Sequence, residues 1–567
     1  MRSVASQPTL AGPEMSGNTD SLLLRRRTTT NKLFTDFQQS PLHDLNPIAQ
    51  PGLTTRVTRN NTVGTSLDLI AEPWSRGNAE VLTVEGGYTP GLVAAAGTSL
   101  VGALLYGFHL GNMNSAAGAM RTDLGVPGGT GAPTPSQGVA NDTAWGFAVS
   151  IFCLGALVGC SVVAPIADTI GRRRTILLKL SIFMLGSLLE ALSVMPGCGT
   201  PPCTEAGLGF LLMLAGRAIC GVACGATTVV VPMYLGEISP PHLRGALGTY
   251  FQLTCCTGIL LAQILGLPAV FGHGHWWAAY LLLPLLPAVG QLVLQDRVVE
   301  SPRWLASRTD AEAMQAQQVL AHLRGESVDS LAVIQELDMM QMSLGVASGP
   351  RGGGKGIGTM LVQPKTRKAL LICVVCAIAQ QFSGINNIFN FSTIFLTSNG
   401  IAASTVALIA VLMNIGNVGI TVLSVELMDR SGRRFLLLAS TVGMVVSLLA
   451  LTLALSEPGQ AWTPPLAVAS VVGFVMSFGI GMGPVPWLLP AELFAADSCA
   501  KGAALSAGTN WLANFVVGQA FLPLANVLKS AVFLPFAAVL CAFFFFVKRS
   551  VPGTRAKTLE QILQELA

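Results

Sequence analysis

The sequence predicts an all-α membrane protein with twelve transmembrane helices in two related six-helix halves. Three observations predict it: a deficit of charge, a recurrence of long apolar runs, and an internal repeat of charged motifs. The chain has 567 residues, of which 51% are hydrophobic and only 11% are Asp, Glu, Lys or Arg. An ordinary soluble domain carries about 25% charge, and a soluble chain of this length would need far more charged surface. The deficit is concentrated after residue 90, where apolar runs recur between short polar breaks. A helix needs about 20 such residues to cross the hydrocarbon core.

Residues 1–90 are polar, rich in Thr, Ser, Asn and Pro, and lack the apolar core of a cleaved signal peptide. They read as a disordered cytoplasmic tail. Spans are then predicted at 91–113, 145–167, 175–195, 207–235, 246–271 and 275–295, giving an N-terminal bundle over 91–295. The polar stretch 296–367 carries helical patterns at Ala311–Leu323 and Leu331–Leu344, then a Gly-rich run at Gly349–Gly358. It reads as a cytoplasmic helical linker. Spans resume at 368–396, 401–427, 435–456, 463–491, 501–525 and 529–547, a C-terminal bundle over 368–547, followed by a short cytoplasmic tail at 548–567. Basic clusters at Arg25–Arg27, Arg172–Arg174, Arg433–Arg434 and Lys548–Arg549 all become cytoplasmic when both termini lie inside. That is the side on which Lys- and Arg-rich loops are retained. The intervening spans argue against nucleic acid as the partner of these clusters, and the lipid bilayer takes that place.

The repeat divides the chain the same way. Asp168-Thr-Ile-Gly-Arg-Arg follows the second span and Asp429-Arg-Ser-Gly-Arg-Arg follows the eighth. Glu237 with Arg244-Gly245 recurs, at nearly the same offset, as Glu492 with Lys501-Gly502. Glu300-Ser-Pro-Arg-Trp has a weaker echo in Pro552-Gly-Thr-Arg555. Parallel repeats of this kind are the plan of a rocker-type transporter. The motifs set carboxylates and guanidinium groups at the cytoplasmic helix ends, and an Arg fork can hold a carboxylate with two parallel bonds. The expectation is a latch of inner ion pairs formed as the halves close inside, with Arg172, Glu237 and Arg244 meeting Arg433, Arg434 and Glu492. Asp168, Arg173 and Asp429 belong to the same belt. Basic loops that merely enforce topology would explain the arginines but not the acids, which are costly near a membrane.

Gly216-Arg217, Val231-Pro-Met-Tyr-Leu-Gly-Glu237-Ile-Ser-Pro, Arg244-Gly-Ala-Leu-Gly, Glu300-Ser-Pro-Arg-Trp, Gln380-Gln-Phe-Ser-Gly-Ile-Asn386, Gly483-Pro-Val-Pro-Trp487 and Asn510-Trp-Leu-Ala-Asn514 carry a family resemblance. Over roughly residues 91–560 the chain resembles the sugar porters of the major facilitator superfamily, and the GLUT-type hexose facilitators in particular. Its long polar N-terminal tail is similar to those of protozoan, apicomplexan-type hexose transporters. The resemblance implies the major facilitator fold and facilitated diffusion of glucose and related hexoses across the plasma membrane. It implies no cofactor and no bond-changing chemistry.

The chemistry of the ligand leads to the same residues. A hexose is neutral and studded with hydroxyls that donate and accept hydrogen bonds, and Gln and Asn amides do both without charge. Amides facing lipid would be costly, so they should face a cavity. Gln252 and Gln263 stand about three helical turns apart on one face of the fifth span. Gln380, Gln381, Asn386 and Asn387 cluster around Gly384 in the seventh, Asn417 lies in the eighth, and Asn510 and Asn514 share a face in the eleventh. Trp487 and Trp511 offer flat walls for a pyranose ring. By the resemblance, Gln263, Gln380, Gln381, Asn386 and Asn417 carry the hydroxyl contacts, with Gln252 nearby, Trp487 on the cavity floor and Trp511 at its side. The competing reading is that these amides join helices to one another.

Departures from the pattern bear on selectivity and coupling. Asn390 and Phe391 stand where the GLUT-type sequence commonly has two tyrosines, and Ala377-Ile-Ala379 stands where glucose-selective members carry Gln-Leu-Ser. Gly479 replaces an acid of the tenth span, and Thr169 replaces the Arg of the first Asp-Arg-x-Gly motif. Proton-linked sugar porters carry Asp where this chain has His109, a residue able to titrate near neutral pH. A proton–sugar symporter is therefore the first rival to uniport, and a transporter-like sugar receptor is the second. Twelve cysteines suggest no metal site. Cys373 and Cys376 form a CxxC inside an apolar span, where helix packing is the reading, while Cys198 and Cys203 could form a small external disulfide. Of the sequons at Asn60, Asn141 and Asn390, only Asn141, in the first outer loop, should be glycosylated.

Overall fold

The computed structural model describes residues 87–126, 135–194, 206–308, 310–347, 357–389, 403–457, 459–494, 496–553 and 565. Residues 1–86 of the tail predicted at 1–90, the Cys198–Cys203 loop, most of the Gly-rich run, and the sequons at Asn60 and Asn390 lie outside the described residues.

Helix is the only regular structure among the described residues, as expected of a chain that must satisfy its backbone inside lipid. The first half comprises α1 (Pro90–Ser115), α2 (Pro135–Ile170), α3 (Arg172–Leu192), α4 (Ala206–Ile238), α5 (Arg244–Leu265) and α6 (Trp276–Val293). The second comprises α7 (Pro364–Phe389), α8 (Ala403–Ser431), α9 (Arg433–Ser456), α10 (Thr463–Leu493), α11 (Ala496–Leu528) and α12 (Lys529–Ser550). Eleven of these are long and apolar enough to cross a membrane. The predicted eleventh span falls in α11, a helix of 33 residues. Helix α2 begins at Pro135, well before its apolar run, because hydropathy cannot see a polar helical extension. Between the halves lie the helices Pro302–Ala306, Asp310–Arg324 and Leu331–Ala347, with a small core of their own around Leu320, Val333 and Leu337.

Small residues set the packing. In α2 and α4 the glycines face each other's backbone: a Cβ on Gly155 would lie 2.1 Å from Ala218 O, and one on Gly225 would lie 2.0 Å from Ala156 O. Helices α1 and α5 meet the same way at Gly107 and Gly258. Lipid gives helices little hydrophobic reason to associate, so close backbone approach supplies the attraction. The leucines Leu178, Leu185, Leu188 and Leu192 of α3 point outward, where lipid rather than water would meet them. Each half has its own apolar core, and the halves touch chiefly along α2 with α11 and α5 with α8.

Two helices break where the halves meet. Helix α7 turns at Ser383-Gly384, with Gly384 in the left-handed region at φ +86°, and Phe536 packs 3.3 Å from where its Cβ would stand. Helix α10 breaks at Gly481–Pro484, leaving the Met482 and Gly483 carbonyls available to side chains.

Candidate functional site

The amides of α7 and α11 form one chain of hydrogen bonds at these breaks. Asn386 Nδ2 donates to Gln381 Oε1 at 2.6 Å, and Gln381 Nε2 donates to Asn510 Oδ1 at 2.9 Å. Asn510 Nδ2 donates to Gln380 Oε1 at 2.7 Å and to Ala377 O at 3.0 Å. Gln380 Nε2 ends the chain on the carbonyls of Met482, at 2.8 Å, and Gly483, at 3.0 Å. The structure therefore joins Gln380, Gln381 and Asn386 in one belt, in which the amides serve one another and the broken backbone of α10.

On the α5–α8 side, Asn414 Nδ2 donates to Gln263 Oε1 at 2.8 Å across the halves. Gln252 Nε2 and Asn417 Nδ2 both lie 3.4 Å from Cys256 Sγ, leaving Asn417 Oδ1 buried without a partner. Asn414 had no place among the expected site residues, although it lies one helical turn from Asn417. Trp511 is buried, edge-on to Tyr106 and Phe152, with its indole N–H 3.4 Å from Thr228 Oγ1. It packs the halves together rather than presenting an open face. Trp487 is half-buried and packs against the first-half core.

A small cleft lies between the halves, lined by Ser150 of α2, Arg217 of α4, Asn386 and Asn387 of α7, and Asn514 of α11. Asn387 differs from its neighbours on α7. Both its amide atoms are buried and neither has a partner.

The charged motifs lie at one end of the bundle, and the structure pairs them within each half. The Arg172 guanidinium grips Glu237 through two bonds of 2.9 Å and reaches Asp168 at 3.0 Å. Arg433 Nε meets Glu492 at 2.8 Å in the corresponding place of the second half. The sequence repeat is thus a repeat of ion pairs. Gly171 and Gly432, with φ of +92° and +80°, make the matching turns before them. The Glu300 carboxylate caps α3, accepting from the backbone N–H groups of Arg172 at 2.8 Å, Arg173 at 3.2 Å and Ser301 at 2.9 Å. An anion suits a helix N-terminus, although burial pushes the Glu300 carboxyl pKa up. Arg173 pairs with Asp296 at 2.9 Å, Arg434 donates to Lys548 O, and Arg244 Nε donates to Gly236 O at 3.1 Å. The pairings expected between halves, of Arg172, Glu237 and Arg244 with Arg433, Arg434 and Glu492, are not among these contacts. The side chain of Asp429 lies outside the described residues.

Sequence reasoning missed a buried charge cluster in the first half. Arg217 NH1 lies 3.8 Å from Glu190 Oε1 and donates to His109 O at 2.8 Å and Asn112 Oδ1 at 3.1 Å. The guanidinium also sits 4.4 Å above the Phe152 ring. His109 Nδ1 is 3.6 Å from Glu190 Oε2, and Nε2 is 3.2 Å from Ser187 Oγ. The signal was available, since Glu190 is an acid inside an apolar span and such residues are costly without a partner. His109, Glu190 and Cys220 also offer three metal donors within 4.8 Å of one another, but Arg217 already balances the carboxylate. Asn141 is half-buried near the start of α2, one residue before the Asp142–Arg121 ion pair at 2.5 Å.

A family model described as "Sugar (and other) transporter" matches residues 94–566. The chain is 34% identical over 480 residues to the human "Solute carrier family 2, facilitated glucose transporter member 4", covering 83% of this chain and 90% of that one. It is 33% identical over 511 residues to the chicken member 2, covering 83% and 92%, and 32% identical over 477 residues to the chicken member 1, covering 84% and 93%. Among solved structures, the major facilitator proton:xylose symporter XylE bound to 6-bromo-6-deoxy-D-glucose superposes with a TM-score of 0.70 at 23% identity, covering 85% of this chain and all of that one. The inward-open form of XylE from E. coli gives 0.64 at 23% identity, covering 84% and 99%. That likeness speaks to the fold.

Proposed function

The chain belongs to the sugar transporter family, and from that premise we propose that it carries hexoses down their gradients by alternating access. Glucose is the chief substrate, with fructose and related hexoses alongside, and the membrane is the plasma membrane with both termini cytoplasmic. No bond is made or broken, so the protein is a transporter and not an enzyme.

The observation that carries this reading is the uncharged amide belt at the breaks of α7 and α10. A belt whose members satisfy one another can exchange those bonds for sugar hydroxyls at small net cost, because one hydrogen bond replaces another. Gln380, Gln381 and Asn386 are the members that would re-partner, with Gln263, Gln252 and Asn417 on the facing side. Gln380 holds the Met482 and Gly483 carbonyls, so a sugar that takes its amide frees the break in α10 to move. Binding and closure then become one event, as alternating access requires. The Arg172–Glu237 and Arg433–Glu492 pairs brace the loops at the cytoplasmic end through that motion.

Uniport is favoured over proton symport by the relatives, which are named facilitated glucose transporters. His109 is fully buried behind Arg217 and Ser187. Uptake of labelled D-glucose into liposomes carrying the purified protein, competed by unlabelled hexoses, tests the proposal.

A further inference from the structure

Resting on the hexose-transport reading, we infer that Asn387 reads a hydroxyl of the sugar and helps decide which hexoses the protein accepts. On α7 the amides of Gln380, Gln381 and Asn386 all have partners. Asn387, 1% exposed, has none for either its nitrogen or its oxygen. A buried amide without partners is destabilising, so a purely structural position would be better filled by an apolar residue. Asn387 belongs to the lining of the cleft together with Ser150, Asn386 and Asn514, with its amide atoms buried in that wall.

The chemistry of the cleft narrows what would satisfy it. Asn387 offers two donors and an acceptor at one point, which matches a sugar hydroxyl or a neighbouring pair of them. Arg217 adds an unpartnered Nε donor to the buried polar groups near the cleft. Glu190, 3.8 Å from the Arg217 guanidinium, balances its charge, so the pair draws in neither a cation nor an anion. A neutral polyol remains. The neighbouring amides must break bonds to receive sugar, whereas Asn387 stands ready, so its whole hydrogen-bonding gain appears on binding. That makes it a selective contact.

The test uses the purified full-length protein, glucose and the series of monodeoxy-glucoses, and the variants Asn387→Val and Asn387→Ala. Glucose should bind about tenfold more weakly to both variants, the loss expected when a buried hydrogen-bonding group is removed. One monodeoxy-glucose, lacking the hydroxyl that Asn387 reads, should bind wild type and variants equally. The melting temperature of sugar-free Asn387→Val should equal or exceed that of wild type, since an unpartnered amide has been replaced by an apolar group. Unchanged glucose affinity would overturn the inference while leaving hexose transport standing. So would an equal loss for glucose and every deoxy analogue, or a lowered melting temperature with no selective loss. A wild-type protein that binds no hexose would instead overturn the transport reading and this inference with it.

Discussion

Asn510 donates to Gln380 Oε1 at 2.7 Å, while Gln380 gives its own amide hydrogens to the carbonyls of Met482 and Gly483. One side chain thereby ties α7 to α11 and to the break in α10. The structure shows Gln380 as a helix tie, and the proposed sugar contact would draw on the same amide. A ligand that competes for Gln380 loosens the joint that must move.

Gln380→Ala should therefore weaken glucose binding. Leaving a buried hydrogen-bond partner unsatisfied costs about 1–3 kcal/mol, and 1.4 kcal/mol is a factor of ten in affinity, so the loss should be roughly tenfold with the protein still folded. Glucose titration of the purified variant against wild type checks it. An unchanged affinity would leave Gln380 as a tie alone and remove the main support for its neighbours.

The charged pairs should behave differently. Glu237→Gln and Arg433→Ala break the corresponding pairs of the two halves, far along the helices from the amide belt. Each should slow transport while glucose affinity in detergent changes little. Comparing uptake rate with binding for each variant separates the cases. Loss of binding equal to the loss of transport would move these residues into the sugar site.

Much of this was legible in the sequence, for physical reasons. Apolar runs of spanning length can only be helices in lipid, and the repeated Asp-x-x-Gly-Arg-Arg motif forecast that Arg172 and Arg433 would stand in matching places. Their partners were less legible. Each Arg pairs with the Glu of its own half, whereas the sequence suggested pairing between halves, because a motif fixes which end of the bundle a charge occupies and not which neighbour it meets. The amides Gln380, Gln381 and Asn386 stand out in the sequence by their chemistry and by the family resemblance. That they bond one another through Asn510 depends on how α7 and α11 are set side by side, which no local pattern encodes. Asn414, one turn from Asn417, and Glu190 were overlooked for lack of a motif, although a lone acid in an apolar span is itself a signal.

Glycan should be confined to Asn141. It stands near the start of α2, at the end of the bundle away from the Arg172 and Arg433 pairs. Mass mapping after expression in a glycosylating cell reads this directly. Glycan on Asn60 would place the N-terminus outside and reverse every loop.

Fructose should compete with glucose for uptake. By the family resemblance, Ala377 and Ala379 take the places of a Gln and a Ser of glucose-selective members; both are buried, and Ala377 offers Asn510 only its backbone carbonyl. Initial rates of labelled glucose uptake at rising fructose concentration measure it, and rates that stay flat at high fructose would remove the selectivity argument.

The central claim, that this chain moves hexoses by facilitated diffusion, is tested most directly by labelled glucose flux into liposomes of purified protein with no ion gradient, with pH followed in an unbuffered medium. The account predicts saturable uptake that stops when inside and outside concentrations match, and no alkalinisation when sugar is added. Uptake that appears only with an imposed proton gradient, accompanied by alkalinisation, would contradict it and return His109 and Glu190 to the centre of the mechanism.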